Sequence, residues 1–72
     1  MKLYTQSRNA IIELPEEIWV STVGSEKTAI ISTAYIEPKL GEYESEERAR
    51  QVLGEIFYYY RNGKSSYIMP EE

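Results

Sequence analysis

Cysteine and histidine are both missing from this chain. Their absence excludes disulfide staples, the thiol nucleophile, the commonest general base at neutral pH and the main transition-metal ligands. Catalysis would have to run on carboxylates, Ser, Lys and Tyr, so the expectation is a protein that is not an enzyme and holds neither a metal nor a cofactor. Long apolar runs are missing too, and Met1-Lys2-Leu3-Tyr4-Thr5-Gln6 has no hydrophobic segment of the kind a signal peptide needs. A cytoplasmic protein without a membrane partner is expected. Positive charge is scarce: 8 Lys and Arg stand against 12 Asp and Glu, for a net charge of −4. That balance argues against binding to a phosphate backbone as the main activity, which needs a concentrated basic surface. It is also ordinary for a small soluble domain and gives little support to mimicry of nucleic acid. Residues 1–36 hold three basic and four acidic side chains and residues 37–72 hold five and eight, so the chain has no basic arm and no acidic tail.

With only 4 Gly and 3 Pro, the chain contains no linker, repeat or low-complexity tract, and its 72 residues read as a single domain, 1–72. A domain of this size buries only roughly 60% of the surface its unfolded form exposes. Lacking disulfide and metal staples, such a domain is expected to gain stability by self-association, as a homodimer.

The strongest local signal runs from Ser45 to Gly63, SEERARQVLGEIFYYYRNG. Ser45 is a good N-cap, Glu44, Glu46 and Glu47 sit where the helix dipole favours carboxylates, and Arg61 and Lys64 sit at the opposite pole. Glu46 and Arg50 form an i,i+4 pair in the favourable orientation. Ala49, Val52, Leu53, Ile56 and Tyr60 recur at helical spacing and form the expected inward stripe, with Phe57 on its flank. Asn62-Gly63 supplies the left-handed stop.

Leu3–Gln6 and Ala10–Leu14 read as two short strands around a Ser7-Arg8-Asn9 turn. Pro15 makes Leu14-Pro15-Glu16 a connection. Ile18–Val23 and Thr28–Ile36, rich in Ile, Val, Thr, Trp and Tyr and separated by Gly24-Ser25-Glu26-Lys27, read as a hairpin. Pairing Val23 with Thr28 places Ile18, Val20, Ala29, Ile31 and Tyr35 on one face and Trp19, Val23, Ile30 and Ile36 on the other. Both faces are partly apolar, so the Trp19 face needs a cover besides the helix: the first hairpin or a second copy. Pro38 ends that hairpin, Leu40-Gly41-Glu42-Tyr43 leads into the helix, and Ser65–Met69 forms a last short strand. The fold expected is α+β: a small antiparallel sheet of about four strands packed by one helix from about Ser45 to Asn62, followed by a short extended segment.

Two features resemble functional motifs and are rejected on their context. Gly63-Lys64-Ser65 resembles the end of a P-loop, but Tyr58 stands where that motif needs glycine and the segment follows a helix instead of opening one. Glu16 and Glu17 are a carboxylate pair, but neighbours in an extended segment point to opposite sides and cannot flank one substrate.

Tyr58-Tyr59-Tyr60-Arg61 is the run most suited to recognition. Consecutive helical residues point in different directions, so with Tyr60 in the core, Tyr58 and Tyr59 are left partly exposed. The expected function is a small protein-interaction module that associates with itself, with Trp19, Ile30, Tyr58 and Tyr59 as anchors. The alternative is single-stranded nucleic-acid binding by Tyr58, Tyr59, Arg61 and Lys64, aromatic stacking beside cations.

Taken whole, with MKLYTQ at the start, LPEEIWV in the first half, ERARQVLGEIF in the helix and RNGKSSYIMPEE at the end, the chain resembles short proteins of Gram-positive bacteria and their prophages or mobile elements, a group without a known activity. The resemblance implies a bacterial cytoplasmic accessory protein of mobile-element origin. It carries no catalytic or binding residues over.

Overall fold

Local signals close the helix at both ends. In the computed structural model, which describes the backbone of residues 1–23, 27–32 and 39–72 and the side chains of residues 1–21 and 40–72, helix α1 spans Glu46–Arg61. The Ser45 hydroxyl accepts from the Arg48 amide at 3.0 Å, and Glu46 and Arg50 form the expected ion pair. At the far end the Asn62 amide donates to the Tyr58 carbonyl, Gly63 adopts φ 70°, and the Lys64 amide returns to the Tyr59 carbonyl. A left-handed residue after the last turn lets these amides reach carbonyls that have no partner further along the helix.

Six strands accompany the helix among the described residues: β1 (Lys2–Tyr4), β2 (Ile11–Glu13), β3 (Ile18–Val23), β4 (Lys27–Ser32), β5 (Lys39–Tyr43) and β6 (Ser66–Ile68). They form two three-stranded sheets, β2-β1-β6 and β3-β4-β5. The fold is α+β with a single helix, and none of the described helices is long and apolar enough to cross a membrane.

In the first sheet β1 and β2 pair antiparallel through the expected turn, Leu3 opposite Ile12. Arg8 adopts φ 65° there, uncommon for a residue with a Cβ. It is held by its own guanidinium, which donates to the Thr5 carbonyl at 3.0 Å and the Met69 carbonyl at 2.7 Å. β6 then lies parallel to β1, with Tyr67 opposite Leu3, where an all-antiparallel sheet was expected. Strand pattern encodes which side chains are buried but not strand direction. Parallel neighbours need a long crossover, and the whole intervening chain provides one.

The second sheet corrects two expectations. Val23 pairs with Lys27 and Thr22 with Thr28, one residue closer to the turn than the sequence spacing predicts. The register sets Val20 opposite Ile30 and Trp19 opposite Ile31, so Ile30 is not in Trp19's row. The turn residues 24–26, Tyr35, Ile36 and Pro38, and the side chain of Ile30, lie outside the described residues. Residues 40–43, expected as a lead-in, belong with Lys39 to strand β5. Between Ile30–Gly41 and Ile31–Lys39 the register shifts, leaving Leu40 as a bulge. The extra residue breaks the two-residue alternation by which a strand is recognised, which is why Leu40, Gly41 and Tyr43 are all buried.

Gln6 joins the two sheets. Its amide donates to the carbonyl of the bulged Leu40 at 3.2 Å, and its side chain accepts from the Glu42 amide at 2.6 Å and donates to the Glu42 carbonyl at 2.7 Å. A primary amide offers one donor and one acceptor in the spacing of a peptide group, so Gln6 caps β5 much as a neighbouring strand would. The core gathers where the layers meet: Leu3 and Tyr67 from the first sheet, Leu40 and Tyr43 from the second, Ala49, Val52 and Ile56 from α1, and Met69 after β6.

Candidate functional site

Ala49, Val52 and Ile56 are buried as the helical spacing predicts, and Leu53 is half-buried. The last turn differs from expectation. Tyr60 is 60% exposed, while Tyr59 is half-buried with its ring edge-on to Tyr67 at 4.9 Å. Tyr59 and Tyr60 flank the buried stripe at similar angles, so periodicity cannot choose between them. β6 supplies a partner ring on one flank, and among the described residues nothing comparable closes the other.

That open flank is a groove of about 990 Å³ between α1 and the connection from β2 to β3. Its helical wall is Leu53, Ile56, Phe57 and Tyr60, an i, i+3, i+4, i+7 row. The opposite wall is built by the chain after β2. The Leu14 amide donates to the Met1 carbonyl at 2.8 Å, which sets Leu14 beside Met1, and buried Pro15 directs the chain outward before β3 begins at Ile18. Ile18 and Trp19 complete the lining. The end of the first hairpin therefore reaches Trp19 but does not cover it: Trp19 is 39% exposed, and Phe57 across the groove is 61% exposed.

Glu16 and Glu17 also line this groove. The chain bends at Glu16 instead of running extended. Both carboxylates are exposed, and neither has a hydrogen bond or ion pair among the described residues. Among the described residues no Lys or Arg lines the groove.

A smaller cleft lies on the other flank of α1, bordered by Arg48, Glu55, Tyr59 and Tyr67. The Tyr67 hydroxyl donates to Glu55 Oε1 at 2.6 Å, and burial first, then this carboxylate, hold its pKa well above the ordinary phenol range. Burial likewise pushes Tyr43 up to about 12; its hydroxyl donates to the Pro70 carbonyl at 2.9 Å. Both shifts keep a proton on the phenol at neutral pH, the wrong direction for a general base. Among the described residues no group of three or more acidic side chains is placed to hold a metal ion.

The expected anchor set is therefore divided. Trp19 lines the groove, Tyr58 is 61% exposed but lies outside the lining, Tyr59 is turned onto Tyr67, and Ile30 lies in β4 with its side chain outside the described residues. Of the nucleic-acid set, Tyr58, Arg61 and Lys64 are exposed, and Tyr59 has its ring against β6. Phe57 and Tyr60, which the sequence reading placed on the flank and in the core, are the exposed aromatics that line the groove with Trp19. Their signal was the helical row itself, longer than the sheet could cover.

No family model matches the chain, and no curated protein and no solved structure matches it.

Proposed function

We propose that the chain is a non-enzymatic protein-interaction module that docks a partner segment in the groove between α1 and the β2–β3 connection. The observation that carries this reading is the convergence of Trp19, Phe57 and Tyr60, all exposed, on one apolar groove. Large aromatics that bury in a partner dominate binding energy at interfaces. The interface set proposed from the structure is Trp19, Phe57 and Tyr60, in place of Trp19, Ile30, Tyr58 and Tyr59. Nucleic-acid binding loses ground as an alternative, since Tyr59 is packed against Tyr67 and the net charge is −4.

Selection from a random-peptide display library on the immobilised domain tests the reading. Enriched peptides are expected to change Trp19 emission and to lose at least tenfold in affinity, about 1.4 kcal/mol, against F57S/Y60S. Tyr58→Ser, off the groove, is expected to bind as the wild type does. Absence of enrichment over an unrelated acidic domain, or equal binding by F57S/Y60S, overturns it. Self-association is proposed alongside and is decided by light scattering over a dilution series: a dimer that dissociates in F57S/Y60S assigns the groove to a second copy.

A further inference from the structure

We infer that the segment this groove takes is an amphipathic helix whose apolar face is flanked by Lys or Arg; the inference rests on the docking reading above. Charge is the deciding observation. Glu13 meets Lys2 at 2.7 Å, Glu46 meets Arg50, and Glu55 accepts from Tyr67, whereas the side-chain carboxylates of Glu16, Glu17, Glu44, Glu47, Glu71 and Glu72 have no partner among the described residues. What sets Glu16 and Glu17 apart is their place: they are the charged side chains of the apolar groove's lining, and no Lys or Arg joins them there among the described residues. An apolar segment with acidic flanks would set like charge against Glu16 and Glu17, whereas Lys or Arg would satisfy both and be steered in by the net charge of −4. A second copy brings the same acidic rim and the same net charge, which disfavours it as the occupant.

Shape indicates helical spacing. The helical wall runs from Leu53 to Tyr60, roughly two turns or about 10 Å of axis. That length matches apolar anchors at i, i+3 or i+4, and i+7 of a segment lying alongside. Trp19 and Phe57, on opposite walls, would straddle the central anchor.

Two synthetic helical peptides test the inference, identical in their Leu anchors and carrying either Lys or Glu at the flanking positions, titrated against the intact domain with Trp19 emission as the readout. The Lys peptide is expected to bind about tenfold more tightly than the Glu peptide, a few-fold for each rim charge, with the difference shrinking as salt screens it. In E16Q/E17Q the preference should collapse, while E71Q/E72Q, which removes the same charge away from the groove lining, should keep it. Equal binding of the two peptides, with both lost in F57S/Y60S, overturns the basic partner and leaves the docking reading intact. Preference retained in E16Q/E17Q also overturns the assignment to the rim. Binding of neither peptide overturns this inference, and the display selection separately decides the docking reading.

Discussion

Gly41→Ala and Gly54→Ala are the same chemical change with opposite expected sign. A Cβ on Gly41 would stand 2.9 Å from Met69 Cε, 3.0 Å from the Tyr43 hydroxyl oxygen and 3.1 Å from Tyr43 Cε2. Such contacts are tighter than ordinary van der Waals packing, so Met69 Cε must shift and the Tyr43 ring must give by a few tenths of an ångström. Met69 is flexible at that end but fully buried, and Tyr43 is anchored by its bond to the Pro70 carbonyl. Overpacking of this kind costs about 1–3 kcal/mol, partly offset by about 0.4–1 kcal/mol from the stiffer unfolded chain. The expected net loss is about 1–2 kcal/mol. Gly54 is exposed in the middle of α1 with open space where its Cβ would go, and alanine there should gain about 0.5–1 kcal/mol. A domain of this size has a total stability of about 4–10 kcal/mol, so both variants remain foldable and measurable. Urea unfolding followed by Trp19 emission and by far-ultraviolet circular dichroism reads both, and with a slope of about 1 kcal/mol per molar the midpoints should move about 1–2 M down and 0.5–1 M up. A Gly41→Ala variant as stable as the wild type would refute the reasoning, because Met69 and Tyr43 would then yield freely.

Two further outcomes follow from the same packing. Gln6→Ala removes the side-chain bonds to the Glu42 amide and carbonyl and to the Glu71 carbonyl, and should cost about 1–3 kcal/mol; hydrogen exchange should quicken at the Glu42 amide and not within α1, and unchanged protection at Glu42 would count against the link between sheets. Tyr43 is raised to about 12 in the folded chain, against about 10 when unfolded. Its contribution to stability is therefore complete below about pH 10 and is lost as pH rises toward 12, where the unfolded chain releases a proton that the native state keeps. The urea midpoint should fall between about pH 10 and pH 12, less steeply in Tyr43→Phe; an equal slope in that variant would assign the effect elsewhere, to Tyr67 first.

The chain's sequence by itself determined whatever is decided within a few residues. Ser45, Glu46, Asn62 and Gly63 close the helix with their own hydroxyl, charges and backbone, so both ends were legible. Ala49, Val52 and Ile56 lie at the centre of the apolar stripe and had to be buried wherever the helix packed. The turn at Ser7-Arg8-Asn9 and the extent of β3 were legible for the same reason, since turn chemistry and β-branched runs act locally.

Tertiary structure alone decided what depends on which surface meets which. β5 was hidden by the bulge at Leu40, a feature that exists only relative to β4 and to the Gln6 amide that donates to the bulged carbonyl. The parallel pairing of β6 with β1 was not encoded in either three-residue strand. Tyr59 and Tyr60 are chemically identical and flank the stripe almost symmetrically, and only the presence of Tyr67 beside one of them turned it inward and left the other facing the groove. Glu16 and Glu17 came to share that groove because the chain bends at Glu16. Periodicity fixes directions around an axis, but burial depends on whether another element stands in that direction.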